Sequence, residues 1–113
     1  MTKWKFKKKL ENTEQHFSNV KFKEIKTKKM TGKIEFDCRA EVTFIMCEFK
    51  DCTIIISDFS SVRFVSSSFE KVTLELGSST LYSNDNSITD SSLYFYCNGL
   101  ATGFGNTFET TKI

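Results

Sequence analysis

The sequence predicts an all-β solenoid, a chain wound into stacked coils, and three observations lead there. Phe44, Phe49, Ile54, Phe59, Phe64, Phe69 and Leu74 recur at a step of five residues. Two positions before each stands a compact side chain: Val42, Cys47, Cys52, Ser57, Val62, Ser67 and Val72. Each step therefore offers one large and one small group to an interior. A beat of five fits neither a strand of period 2 nor a helix of period 3.6, so the chain must turn a corner every five residues. Self-similarity at a fixed period is the mark of a solenoid. The third observation is that residues 20 apart match in kind, as they would on neighbouring rungs of a coil about 4.8 Å from one another. Phe44 then lies over Phe64, Phe49 over Phe69 and Ile54 over Leu74, while Lys50 meets Glu70, Asp51 meets Lys71 and Thr53 meets Thr73. Opposite charges and threonine pairs are favoured across strands.

The units VTFIM, CEFKD, CTIII, SDFSS, VRFVS, SSFEK and VTLEL, residues 42–76, resemble the pentapeptide-repeat family. In that family the central residue is Leu or Phe, and the position two before it is usually Ala, Cys, Ser, Thr or Val. The intervening position is often Asp or Asn; here it holds Thr43, Glu48, Thr53, Asp58, Arg63, Ser68 and Thr73, which departs from the pattern. The resemblance implies a right-handed four-sided β-helix. It implies function only loosely, because one fold hosts unrelated activities. Its best-understood members are bacterial proteins that engage DNA topoisomerases by imitating the charge and shape of duplex DNA.

One domain of residues 1–113 is expected, with a basic cap and partial coil over 1–41, regular repeats over 42–76, and an irregular coil or closing segment over 77–113. The alternation Lys3-Trp4-Lys5-Phe6-Lys7 suits a strand with one apolar face. Phe17 and Phe22 are again five apart, with Val20 in the compact position, which suggests a fragment of coil. Between Lys23 and Val42 the beat lapses: Met30 to Lys33 reads as a projecting turn, and Ile34 and Phe36 resume a strand. Past Leu76 the sequence is rich in Ser, Asn and Asp, yet Ile88 and Leu93 keep the five-residue spacing and imply further coil. The tail carries Phe95, Leu100, Phe104 and Phe108 with Gly99, Gly103 and Gly105 between them, an apolar segment expected to close the far end or to self-associate.

The formal charge of +2 conceals a division. Residues 1–33 carry 11 Lys against Glu11, Glu14 and Glu24, a net of +8, whereas residues 34–113 carry five cations against 11 acids, a net of −6. A block of one sign suits binding to the opposite sign, nucleic acid phosphate or an acidic protein face. Its bland alternative is a solvated cap that stops end-to-end stacking. No segment approaches the roughly 18 apolar residues of a membrane span, and the basic start lacks the apolar stretch of a secretory signal; a cytoplasmic chain is expected. Cys38, Cys47, Cys52 and Cys97 then read as reduced thiols, two of them in compact inward positions.

Chemistry is sparse. His16 is the only imidazole and has no Ser or Cys arrangement near it; no paired carboxylates or phosphate-cradling glycine loop stand out. No catalytic residue, cofactor or metal is expected. The outward positions point to contact instead. Partner binding is assigned to the basic end: Lys3, Lys5, Lys7, Lys8, Lys9, Lys21, Lys23, Lys26, Lys28 and Lys29. Two sides read as polar, one with Lys50, Asp51, Glu70 and Lys71, the other with Asp58, Ser60, Ser61 and Thr80. Two read as apolar, one with Ile45, Met46 and Val65 and the other with Ile55, Ile56 and Leu76; with Phe104 these form the expected interface. The expected function is a non-enzymatic protein that docks on a nucleic-acid enzyme or its nucleoprotein complex, inhibiting or modulating it. A topoisomerase is one such target; an anti-CRISPR-like phage protein acting on a nuclease is another version. The alternative is a self-associating structural homodimer with no nucleic-acid role.

Overall fold

Phenylalanines that recur along the sequence meet face to face in space. In the computed structural model, which describes residues 15–96 and 99–109, Phe44 stacks on Phe64 with ring centroids 5.2 Å apart, and Phe49 on Phe69 at 4.9 Å. The described residues form strands and no helix: β1 (Gln15–Ser18), β2 (Lys23–Lys26), β3 (Lys29–Asp37), β4 (Glu41–Ile45), β5 (Glu48–Ile56), β6 (Ser61–Val65), β7 (Ser68–Gly77), β8 (Thr80–Asn84), β9 (Ser87–Thr89), β10 (Ser92–Tyr96), β11 (Leu100–Phe104) and β12 (Thr107–Glu109). They make a parallel β-solenoid of about five turns. One sheet runs β1-β3-β5-β7-β9-β12, with β10 also on β7; the other runs β2-β4-β6-β8-β11, one strand for each turn.

The stacking expected at 20 residues is present between β5 and β7. Lys50 pairs with Glu70, Thr53 with Thr73 and Ile54 with Leu74. Asp51 and Lys71 fall at a bend in these strands, both with positive φ (53° and 57°), and drop out of the ladder there. A second file of left-handed corners runs through Thr27, Met46, Ser66, Asp85 and Gly105. Such a conformation is costly for residues other than glycine. Here the corner amides keep the ladder running: Thr27 N–H donates to the Ile45 carbonyl (3.0 Å), Met46 N–H to Val65 (2.9 Å), Ser66 N–H to Asn84 (3.0 Å) and Asp85 N–H to Phe104 (3.1 Å).

Each middle turn turns eight side chains inward. Ala40, Val42 and Phe44 come from the first side, Cys47 and Phe49 from the second, and Cys52, Ile54 and Ile56 from the third; the next turn repeats this with Ser60, Val62, Phe64, Ser67, Phe69, Val72, Leu74 and Leu76. Three expectations are corrected by this arrangement. Phe59 is not a rung: it is 66% exposed, because residues 58 and 59 both take positive φ and carry the fourth step outward as a turn. Ile56 and Leu76 are fully buried and form no outer apolar side, and Ser60, expected on a polar face, is buried too. That leaves Ile55 on the outside, between Glu35 and Glu75 in register.

The lapses in the beat have a simple cause. Val42 pairs with Val62, 20 residues on; Val62 pairs with Leu81, 19 on; Leu81 pairs with Ala101, 20 on again. The turn with Asp58 and Phe59 shortens to Ser78 in the next coil, and one missing residue shifts the phase of everything above. In the N-terminal coil the same happens at Met30 and Gly32, which pair with Phe49 and Cys52 across a register shift. So Met30 to Lys33 is part of β3, with Met30 buried, and not a projecting turn. Phe17 stacks on Phe36 at 5.1 Å and Val20 packs on the core, but Phe22 is 90% exposed with φ of 52°. Ile88 and Leu93 continue the files of Phe69 and Leu74, as their spacing suggests.

Polar inward residues gather at the corners, where the backbone leaves its regular ladder. Cys47 N–H donates to Ser67 Oγ (3.1 Å), Ser67 N–H to Asn86 Oδ1 (2.7 Å) and Asn86 N–H to Asn106 Oδ1 (3.1 Å). A second column sets Ala40 N–H on Ser60 Oγ (3.1 Å), and a third sets Val72 N–H on Ser91 Oγ (3.1 Å). Buried amides must find partners, and these small side chains supply them from the turn above.

Candidate interaction surfaces

The basic end can be built from its edge strand. Among the described residues β2 pairs only with β4 and so ends the five-stranded sheet. It carries Lys23 and Lys26, and Lys21, Lys28 and Lys29 flank it; all five are exposed. Lys21 Nζ donates to the Arg39 carbonyl (2.6 Å), closing a left-handed corner, and Lys26 lies 3.5 Å from Glu24. Lys23, Lys28 and Lys29 have no ion-pair partner among the described residues. Lysine at Lys23 also takes the place that Val42 holds one turn on, so a position that is apolar elsewhere in the file is charged at the end of the stack. Lys3, Lys5, Lys7, Lys8 and Lys9, with Trp4 and Phe6, lie outside the described residues, as does Cys97.

His16 sits on β1 beside this edge, with Nε2 2.9 Å from Asp37 Oδ2 on β3. That hydrogen bond, assisted by Ser18, holds the Asp37 carboxyl below its ordinary value of 3.8. The pair is on the outer surface and half open to solvent. Among the described residues no group of His, Cys, Asp and Glu is placed to hold a metal ion, and no helix is long and apolar enough to cross a membrane.

Of the residues expected at an apolar interface, three share one line. Ile45 pairs with Val65, Val65 with Asn84, and Asn84 with Phe104, so they run across the outer face of β4, β6, β8 and β11, with exposed Met46 at the adjoining corner. Phe104 is 73% exposed and Ile45 and Val65 are half-buried. Beside this file Arg63 lies over the Tyr82 ring at 4.5 Å. Ile55, Ile56 and Leu76 have no part in it.

The predicted polar side is found, though its charges stay open. Lys50 and Glu70 are in register and exposed, yet they do not close into an ion pair, and neither do Asp51 and Lys71. Asp58 Oδ2 accepts from Cys38 N–H (3.0 Å), a corner role. Sequence reasoning missed the corner columns built on Ser60, Ser91, Asn86 and Asn106. Their signal was present as small polar residues 19 or 20 apart, hidden by the change of coil length. No family model, curated protein or solved structure matches this chain.

Proposed function

We propose that this chain is an interaction protein and not an enzyme, and that it docks its basic edge on a nucleic-acid enzyme or that enzyme's nucleoprotein complex in a bacterial cytoplasm. A topoisomerase or a phage-targeting nuclease is the class of target, and a phage-encoded anti-defence protein is one concrete version. The reading is carried by a single observation: Lys21, Lys23, Lys26, Lys28 and Lys29 crowd the exposed end strand while the rest of the chain is net acidic. Lysines there would meet phosphate, and the acidic flank would meet the basic channel of the enzyme. The test is fluorescence anisotropy of labelled duplex DNA and of single-stranded RNA against salt. Binding that weakens linearly in log salt, and is lost in Lys23→Glu/Lys28→Glu/Lys29→Glu, supports the reading; a folded wild type with no affinity for either polymer or for a purified topoisomerase or nuclease removes it.

The same proposal takes the chain as a divergent pentapeptide-repeat protein with right-handed, four-sided winding. It is supported by the five-residue spacing of buried Phe44, Phe49 and Ile54 and of Phe64, Phe69 and Leu74. A crystal structure with left-handed coils would exclude it.

A second reading, a homodimer with no nucleic-acid role, is favoured by the Ile45, Val65 and Phe104 file. Sedimentation would then give a dimer that Phe104→Asp converts to a monomer with the fold intact. A monomer at all concentrations removes this reading.

A further inference from the structure

We propose that the C-terminal end of the solenoid holds an interior binding site for a small, uncharged, apolar molecule of roughly two fused rings. This inference stands apart from the lysine edge and does not rest on any reading of the chain's partner. The files of large inward side chains stop short there. Phe44 and Phe64 are followed in register by Ser83 and then Gly103. Gly103 itself cannot carry a side chain there, because an added Cβ would collide with the Ser83 carbonyl oxygen. A cavity of about 300 Å³ remains. Its floor is Phe64 and Phe69, its walls include Leu81 and Leu93, and Phe95 and Phe108 stand at its rim, 44% and 46% exposed.

The chemistry of the lining selects the ligand. Among the described residues no charged one contributes to it. Of the four polar side chains among the lining, those of Ser83, Asn106 and Ser91 are already engaged by the wall, which leaves the Thr102 hydroxyl. Ser83 Oγ donates to Asn106 Oδ1 (2.9 Å) and accepts from Asn86 Nδ2 (2.8 Å), while Asn106 Nδ2 donates to the Ser83 carbonyl (2.7 Å). Ser91 Oγ donates to the Thr89 carbonyl (2.9 Å) and accepts from Val72 N–H. An ionised or strongly polar ligand would lose its hydration and gain one hydroxyl at most in return. Apolar cavities of this kind stay dry, and one of about 150 Å³ accepts benzene. Twice that volume suits a two-ring compound and lies at the small end of ligand sites.

Indole and naphthalene are the probes, titrated into the full chain while methyl resonances of Leu74, Leu81, Ile88 and Leu93 are followed by NMR. Saturable shifts at these methyls, with Ile34 and Val42 unmoved, are expected. Ala101 continues the file of Leu81, so Ala101→Leu fills the space and should raise Tm while weakening the probes at least about tenfold. If that variant does not fold, Leu93→Ala enlarges the site and should favour naphthalene over indole more than the wild type does. The proposal is overturned by the absence of saturable shifts up to the solubility of the probes, by undiminished binding in folded Ala101→Leu, or by an unchanged preference in Leu93→Ala. It is also overturned if the wild type dimerises through this end and the probes compete with the dimer, for then a second copy is the occupant.

Discussion

Burial sets the reactivity of the thiols. Cys52 has its pKa pushed up to about 11 by desolvation, and Cys47 is raised for the same reason. Both donate to carbonyls of the preceding turn, Cys52 Sγ to Met30 at 3.0 Å and Cys47 Sγ to Ile25 at 3.5 Å. Since the thiolate is the nucleophile, maleimide at pH 7 should label exposed Cys38 quickly and leave Cys47 and Cys52 untouched until the protein unfolds. Mass spectrometry of a Cys97→Ser background reads this directly, and early modification of Cys52 would contradict its burial. Asp37 gives a pH prediction of defined sign. Its folded pKa lies below 3.8, so its contribution to stability is complete above that value and is lost as pH falls through the lower folded pKa. His16→Ala should bring the Asp37 titration back toward 3.8, followed by NMR of the carboxyl carbon. The pair is solvated, so the effect on Tm at neutral pH should be small.

At the scale of elements, the sides and corners of the coil obey different rules. Phe64 lies inside and Phe59 outside, five residues apart, although both occupy the same place in the repeating unit. Phe64→Ala should cost about 3–5 kcal/mol. Phe59→Ala loses mainly its contact with Arg39, 5.6 Å from the ring, and should cost about 1 kcal/mol or less. Asn86→Ala leaves the Ser67 amide and the Phe64 carbonyl without their partners, an expected loss of about 2–3 kcal/mol. Urea unfolding of the three variants tests the ranking, and equal losses for Phe59 and Phe64 would return the turn at 58–59 to the core. These differences explain what could be read in the sequence. A period of five located β4 to β7 because in both turns the sides there keep equal length. It also assigned Phe22 and Phe59 to the interior and Ile56 and Leu76 to the surface, since a fixed beat treats a corner as another side. The lysine edge was legible because charge survives any shift of phase. The Asn and Ser columns and the interior cavity were not, because they depend on which residues meet across turns of unequal length.

For the whole molecule, the two ends differ in kind. The N-terminal end strand is lined with lysine, while Tyr94, Phe95, Leu100, Phe104 and Phe108 leave the last turn rich in exposed apolar surface. Lysine on an open strand edge also discourages addition of another chain. The two roles separate experimentally: Lys23→Val/Lys26→Val should lower solubility in light scattering, whereas Lys23→Glu/Lys28→Glu/Lys29→Glu should keep the protein monodisperse while abolishing attraction to phosphate. If the valine variant stays monodisperse at high concentration, edge protection is not what those residues do. The unequal turns bear, finally, on how such a chain tolerates change in length. Adding one amino acid beside Ser78 would merely copy the longer bend beneath it, and every later rung would keep its wall. The same addition between Leu74 and Leu76 would send each following side chain to the opposite face, so gains and losses should accumulate at the bends and be purged from the straight runs.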